Sequence, residues 1–141
     1  PQEALGYARD TLTLGWEDRL KIRAPRITDA GVEFATALPR ATVLREGDCF
    51  ILHALRLVVR LVERGEPVFV IRPATAQESA LFAYHIGNSH QPLMLAGQEI
   101  VCPDILGVAQ VLDHHGIPFV RADRAFTPVG QVSSHRHPVS E

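Results

Sequence analysis

Through much of its first half the chain alternates apolar and polar positions with a period of two, the signature of strands wet on one face. Arg19-Leu20-Lys21-Ile22-Arg23-Ala24 alternates in this way and predicts a strand that Pro25 limits. Asp29-Ala30-Gly31 is a turn signal, and residues 32–38 resume an extended pattern with Val32, Phe34, Thr36 and Leu38 on one face. Leu38-Pro39-Arg40 ends it. Thr42-Val43-Leu44 predicts a short strand, and Glu46-Gly47-Asp48 a turn. Residues 49–62 fit two periods, because Phe50, Ala54, Leu57 and Leu61 would also line a helix. The β-branched run at residues 57–62 favours strands, and Arg64-Gly65-Glu66-Pro67 reads as a hairpin end.

The pattern changes after Glu66. Val68-Phe69-Val70-Ile71 is fully apolar, as in a central strand. Thr75-Ala76-Gln77-Glu78 has the form of a capping box, with Thr75 accepting from the residue-78 amide and Glu78 reaching back to residue 75. A helix is expected from there to about Ile86, with Gly87 in the left-handed position that ends it. Residues 93–96 and 99–102 predict two strands around Gly97-Gln98. Pro103-Asp104 is expected to open a second helix, in which Ile105, Val108, Ala109 and Leu112 recur at helical spacing, His114 and His115 fill the last turn, and Gly116 closes. Residues 117–122 predict a last strand. Strand, helix, strand, strand, helix, strand is the ferredoxin-like split βαβ order. The expected fold is α+β: an all-β N-terminal domain over residues 1–68, a ferredoxin-like (βαββαβ) domain over 69–126 and a flexible tail over 127–141.

Composition narrows the function classes. The 141 residues are 46% apolar and 21% charged, the balance of a globular protein of one or two small domains. A net charge of −2 offers no basic surface for nucleic acid. The longest apolar run, residues 49–62, contains His53, Arg56 and Arg60 and is shorter than the ~20 residues that span a bilayer, so no membrane role is expected. No signal peptide is evident, and Cys49 and Cys102 fit no CxxC spacing. A cytoplasmic protein with two reduced, buried and slowly reacting thiols is expected.

Candidate chemistry rests on seven histidines. In Tyr84-His85-Ile86-Gly87-Asn88-Ser89-His90, His90 stands just beyond the break of the first helix and before the apolar run Pro92-Leu93-Met94-Leu95. A neutral imidazole held between two rigid elements can ligate a metal, move a proton or pair with a carboxylate, although a lone histidine after a helix is more often a capping or surface residue. His135 and His137, at i and i+2, could close on one ion or belong to an unstructured end. His114 and His115 suit the negative end of a helix dipole, and adjacent helical side chains diverge by about 100°, which makes a poor ligand pair. His53 and His85 read as ordinary core or surface residues. Nucleophile elbows, P-loops, dinucleotide fingerprints and HExxH are missing, so no enzyme is expected.

Several stretches together resemble the urease accessory protein UreE family of nickel metallochaperones. Tyr84-His85-Ile86-Gly87-Asn88-Ser89-His90 followed by Pro92-Leu93 is similar to that family's helix end. Residues 23–26 with Thr28 and Gly31, Leu38-Pro39-Arg40, Leu44-Arg45-Glu46-Gly47-Asp48 and Phe126-Thr127-Pro128 with Gly130 resemble its other elements. The resemblance implies a first domain that binds a partner or peptide and a second that forms a homodimer, with His90 of both chains ligating nickel at the interface. It also implies His135 and His137 as added ligands. Ni(II) would be cargo, with Zn(II) or Cu(II) as in vitro substitutes, and the partners would be apo-urease, its accessory GTPase (UreG) and other accessory proteins. Imidazole suits Ni(II), and one rigid histidine needs a second copy to chelate. Where relatives carry His-x-His before the last helix, this chain has Val101-Cys102-Pro103-Asp104 and so lacks the ligands of that second internal site, and its two tail histidines fit delivery better than storage. A metal-independent dimeric structural or regulatory module is the alternative.

Overall fold

The computed structural model describes residues 4–130. It divides into two compact units, one ending at Arg64 and one running from Gly65 to Gly130.

The first unit contains β1 (Ala8–Leu14), α1 (Trp16–Leu20), β2 (Arg23–Ile27), β3 (Glu33–Ala37), β4 (Cys49–Leu52), a 3₁₀ turn (His53–Leu55) and β5 (Leu57–Glu63). One sheet has the order β1-β5-β4, and β2 and β3 form a second. β1 runs parallel to β5, with Leu12 opposite Leu61, while β4 and β5 are antiparallel. Leu12, Leu44, Leu57, Val59 and Leu61 form the core, flanked by Phe34 and Phe50, whose ring centroids are 5.5 Å apart.

Several expectations fail here, each for its own local reason. The segment expected as a strand from Arg19 begins inside α1, and β2 starts only at Arg23. Arg19 is fully buried, donating to the Leu44 carbonyl at 3.2 Å and pairing with Glu63 at 3.4 Å. Its charge therefore marks a core position rather than a wet face. Arg26 is likewise buried and donates to Thr36 Oγ1 and to the carbonyls of Asp18 and Lys21, closing off the end of α1. Pro25 lies within β2, opposite Ala35. A two-stranded sheet has only edge strands, where a missing N–H is tolerated. Residues 42–44 form no strand. β1 is an addition, and its Thr11-Leu12-Thr13-Leu14 alternation is the period-two pattern in its plainest form. The unit is the N-terminal β domain expected, with the short α1 set among its strands.

The second unit contains β6 (Glu66–Ile71), α2 (Ala76–Asn88), β7 (Met94–Ala96), β8 (Glu99–Pro103), α3 (Val108–His114) and β9 (Val120–Arg124). The sheet order is β7-β8-β6-β9 with every pair antiparallel. This is the ferredoxin-like arrangement expected from the order of elements. Phe69 and Ile71 of β6 and Ile100 and Cys102 of β8 share one face, against which Phe82 and Ile86 of α2 and Val108 and Leu112 of α3 pack. Residues 64–67 are not a hairpin end: β5 and β6 belong to different sheets, and the chain passes from one unit to the other there.

α3 starts at Val108, not at Pro103. β8 continues through Pro103, opposite Val68, and the Asp104 amide extends the ladder to the Pro67 carbonyl at 3.0 Å. Only at Gly107, with φ 92°, does the backbone turn into the helix. The last strand is shifted correspondingly to Val120–Arg124. The chain does not loosen at Phe126. That ring is fully buried, and the Val129 amide donates to the Leu93 carbonyl at 2.8 Å.

Candidate metal centre

α2 begins as its sequence predicts. The Glu78 amide donates to Thr75 Oγ1 at 3.0 Å, satisfying one of the four orphan amides of a helix start. The Glu78 carboxylate turns back to the Ala74 amide, at 3.5 Å, rather than to Thr75. Phe82 and Ile86 face the core, while Leu81 and Tyr84 are exposed.

The end of α2 differs from expectation in a way that matters for His90. Gly87 is an ordinary helical residue, and the helix runs to Asn88. His90 itself takes the left-handed position, with φ 58°. Its amide donates to the Gly87 carbonyl at 3.0 Å and the Gln91 amide to the Ile86 carbonyl at 3.2 Å. These paired bonds make a Schellman closure with His90 as its left-handed residue. Ser89 adds a bond from its hydroxyl to the His85 carbonyl at 2.9 Å. A side chain in this conformation costs about 1–2 kcal/mol relative to glycine. The glycine does not end the helix because its capping preference is only a propensity, whereas helix length is decided by burial of Ile86 and the hydrogen bonds beyond it.

His90 is thus exposed but not loosely held. Behind it, Gln91 and Pro92 lead to Leu93, which is buried. Beside it, Gly107 approaches so closely that an added Cβ would lie 3.3 Å from Gln91 Nε2. Among the described residues, no three His, Cys, Asp or Glu side chains converge on a point where an ion could be held. His135 and His137 lie outside the described residues.

The other histidines lie where their sequence reading puts them, at the surface or at the end of α3, but their contacts were not foreseen. His53 begins the 3₁₀ turn, 3.1 Å from the Tyr7 hydroxyl through Nδ1, and is occupied in a small surface cluster of its own unit. His85 and His115 come together face to face, with centroids 4.1 Å apart and planes 13° from parallel, and His114 meets His115 edge-on at 4.8 Å. Sequence spacing gave no sign of this contact, which depends on how α2 and α3 pack. Cys102 is buried, and desolvation pushes its thiol up to about 12. Cys49 is exposed on β4, correcting the expectation that both thiols are covered.

The fold and this site define a two-domain α+β protein whose ferredoxin-like second domain exposes His90 on a backbone fixed by the closure of α2. Comparison with known proteins places it further. Residues 1–63 match the family described as UreE urease accessory protein, N-terminal domain, and residues 66–141 match its C-terminal domain. The chain belongs to the UreE urease accessory protein family. It is 34% identical over 136 residues to the urease accessory protein UreE of Burkholderia thailandensis, covering 95% of this chain and 63% of that protein. It is 35% identical over 116 residues to UreE of Paraburkholderia xenovorans, covering 77% of this chain and 51% of the relative. UreE of Burkholderia mallei is 33% identical over 128 residues, with 89% and 63% covered. The chain therefore spans only about half to two thirds of the length of these relatives. No helix among the described residues is long and apolar enough to cross a membrane.

Proposed function

We propose that this chain carries Ni(II) as cargo to apo-urease during assembly of the urease active site. The observation that carries the reading is His90 in its left-handed position. A backbone conformation unfavourable for a side chain, kept where glycine would be easier, points to a role for the imidazole itself. The role in urease maturation follows from the family. Nickel, cytoplasmic location and engagement of the accessory GTPase (UreG) are the finer parts of the proposal.

One imidazole does not hold an ion tightly, so other ligands are required. A twofold axis beside His90 brings in His90 of the partner subunit without any further sequence requirement. Apolar surface suitable for such an axis lies nearby. Leu81 and Tyr84, one helical turn apart on α2, are 51% and 62% exposed. Leu106, adjacent to the Gly107 that meets Gln91, is 95% exposed. Exposed apolar side chains of this kind favour association with another surface. His135 and His137 supply further ligands once an ion is bound. The exposed apolar side chains would serve a metal-independent dimer equally well, which is the competing reading.

Titration of tag-free protein with Ni(II), together with its mass in solution, separates the two. The expected result is a dimer whose tightest step takes up one ion per two chains, lost in His90→Ala with the dimer intact. A tight step of one ion per single chain overturns the shared site, and full retention of the first step in His90→Ala overturns the assignment. A dimer without a tight nickel step supports the metal-independent module. Zn(II) and Cu(II) are expected to occupy the same site in vitro, Cu(II) at least as tightly as Ni(II).

A further inference from the structure

Away from His90 the fold gathers three imidazoles that the sequence keeps apart. β6 and β8 are antiparallel, so the helices that follow them also run in opposite directions. α3 starts beside Gln91, just past the end of α2. Its seven residues, at ~1.5 Å each, carry its far end back along α2 by about two turns. That brings His115, the residue closing α3, against His85. We infer that His85 and His115 form a second cation site, separate from His90, for a divalent transition-metal ion of the Zn(II), Ni(II) and Cu(II) class.

The distance is close to what two imidazoles on one ion require. A metal–nitrogen bond of about 2.0–2.1 Å sets each ring centre roughly 3.2 Å from the metal. Bond angles between square-planar and tetrahedral then separate the two centres by roughly 4.5–5.2 Å. The observed 4.1 Å is shorter by roughly 0.4–1.1 Å. Stacked rings do not aim their lone pairs at one point, so the rings must splay as the ion enters. Both are only partly buried, and each sits near the end of its helix. His114, exposed and 4.8 Å from His115, can contribute once the pair opens, and water fills the remaining positions.

The chemistry of the pair suits a ligand set better than a packing contact. Phenylalanine would stack without the desolvation of ring nitrogens. His115 is held below the usual histidine range, by burial first and then by the neighbouring His85 and His114 rings, so it presents a free lone pair at neutral pH. With two or three protein ligands rather than four, the site is of the exchangeable kind, not a closed structural one.

The test uses the full chain carrying His90→Ala, His135→Ala and His137→Ala, with Zn(II) alone as the probe. This protein is expected to bind one Zn(II) per chain and to shift the imidazole nitrogen resonances of both His85 and His115. Adding His115→Phe, which keeps an aromatic ring against His85, should weaken that binding about tenfold or more. The metal-free thermal midpoint should stay the same. Binding unchanged by His115→Phe overturns the proposal, as do His85 and His115 resonances that stay still on Zn(II) addition. The resonance measurement stands even if His115→Phe fails to fold. Nickel carriage through His90 is tested by His90→Ala in the otherwise unaltered chain, so either site can fail without the other.

Discussion

His90 occupies at the end of α2 the same left-handed position that Gly116 occupies at the end of α3. The φ angles are 58° and 65°. Around Gly116 the Ile117 amide donates to the Leu112 carbonyl and the Gly116 amide to Asp113, repeating the bonds made around His90. One closure uses the residue the geometry favours, and the other keeps an imidazole there.

The comparison predicts the behaviour of His90→Gly. Glycine removes the left-handed strain but adds freedom to the unfolded chain, so a net gain in stability of up to about 1 kcal/mol is expected. His90→Ala retains the strain and should be the less stable of the two. Urea unfolding of both variants checks this, and a His90→Gly protein less stable than His90→Ala would show that the closure is unstrained. Both should lose the tight nickel step alike.

The two thiols should separate in reactivity. One thiol per folded chain is expected to label rapidly at neutral pH, and Cys49→Ser should remove it. Cys102 should label only on unfolding. Because burial raises the Cys102 thiol from 9.0 to about 12, its contribution to stability is fully present below pH 9 and is lost between there and about 12, as the unfolded thiol ionises and the folded one does not. Cys102→Ala should flatten that alkaline limb of the stability curve. An identical limb in the variant would mean that other groups account for it.

Asp29 fastens the β2–β3 turn to β1. Its carboxylate accepts from the hydroxyls of Thr11 and Thr13 and from the Thr13 amide, while its own amide donates to the Thr11 carbonyl. The hydroxyl bonds hold the carboxyl below the usual carboxylate range. The stabilisation is therefore present above the unfolded aspartate value and falls away as the pH drops through the folded one. Asp29→Ala should cost about 1 kcal/mol at neutral pH and less at acid pH. A cost that does not shrink on acidification would assign the loss to something other than the charge.

Truncation should discriminate between residues 126–130 and those beyond. Removal of everything after Gly130 is expected to leave the fold and self-association intact while reducing the nickel bound, through loss of His135 and His137. Removal from Phe126 onward empties a buried aromatic site and should cost about 3–5 kcal/mol. Equal melting of both truncated chains would contradict the role given to Phe126, and unchanged nickel uptake by the longer one would contradict the tail ligands.

The second unit was the more legible from sequence, and the reason is physical. Thr75 and Glu78 act within four residues of each other, and Phe82, Ile86, Val108 and Leu112 fall at helical spacing on a core face. Such local signals survive folding. What escaped depends on packing across the chain. Arg19 is polar in sequence and buried in fact because Leu44 and Glu63, far along the chain, receive its guanidinium. Gly87 carries the best local signal for a helix end, yet the helix passes through it to Asn88. His90 was legible as a candidate, but not its conformation, and the His85–His115 contact had no local signature.

The parallel pairing of β1 with β5 has a consequence for biosynthesis. Ala8 is registered with Leu57, so β1 leaves the ribosome on the order of seconds before its partner, roughly fifty residues later, is made. β4 and β5, a short antiparallel pair, can join as soon as both emerge. Until then the Thr11-Leu12-Thr13-Leu14 stretch is an apolar strand with both edges open. Nascent chains stalled before residue 57 are where chaperone capture or misassociation of this protein should concentrate.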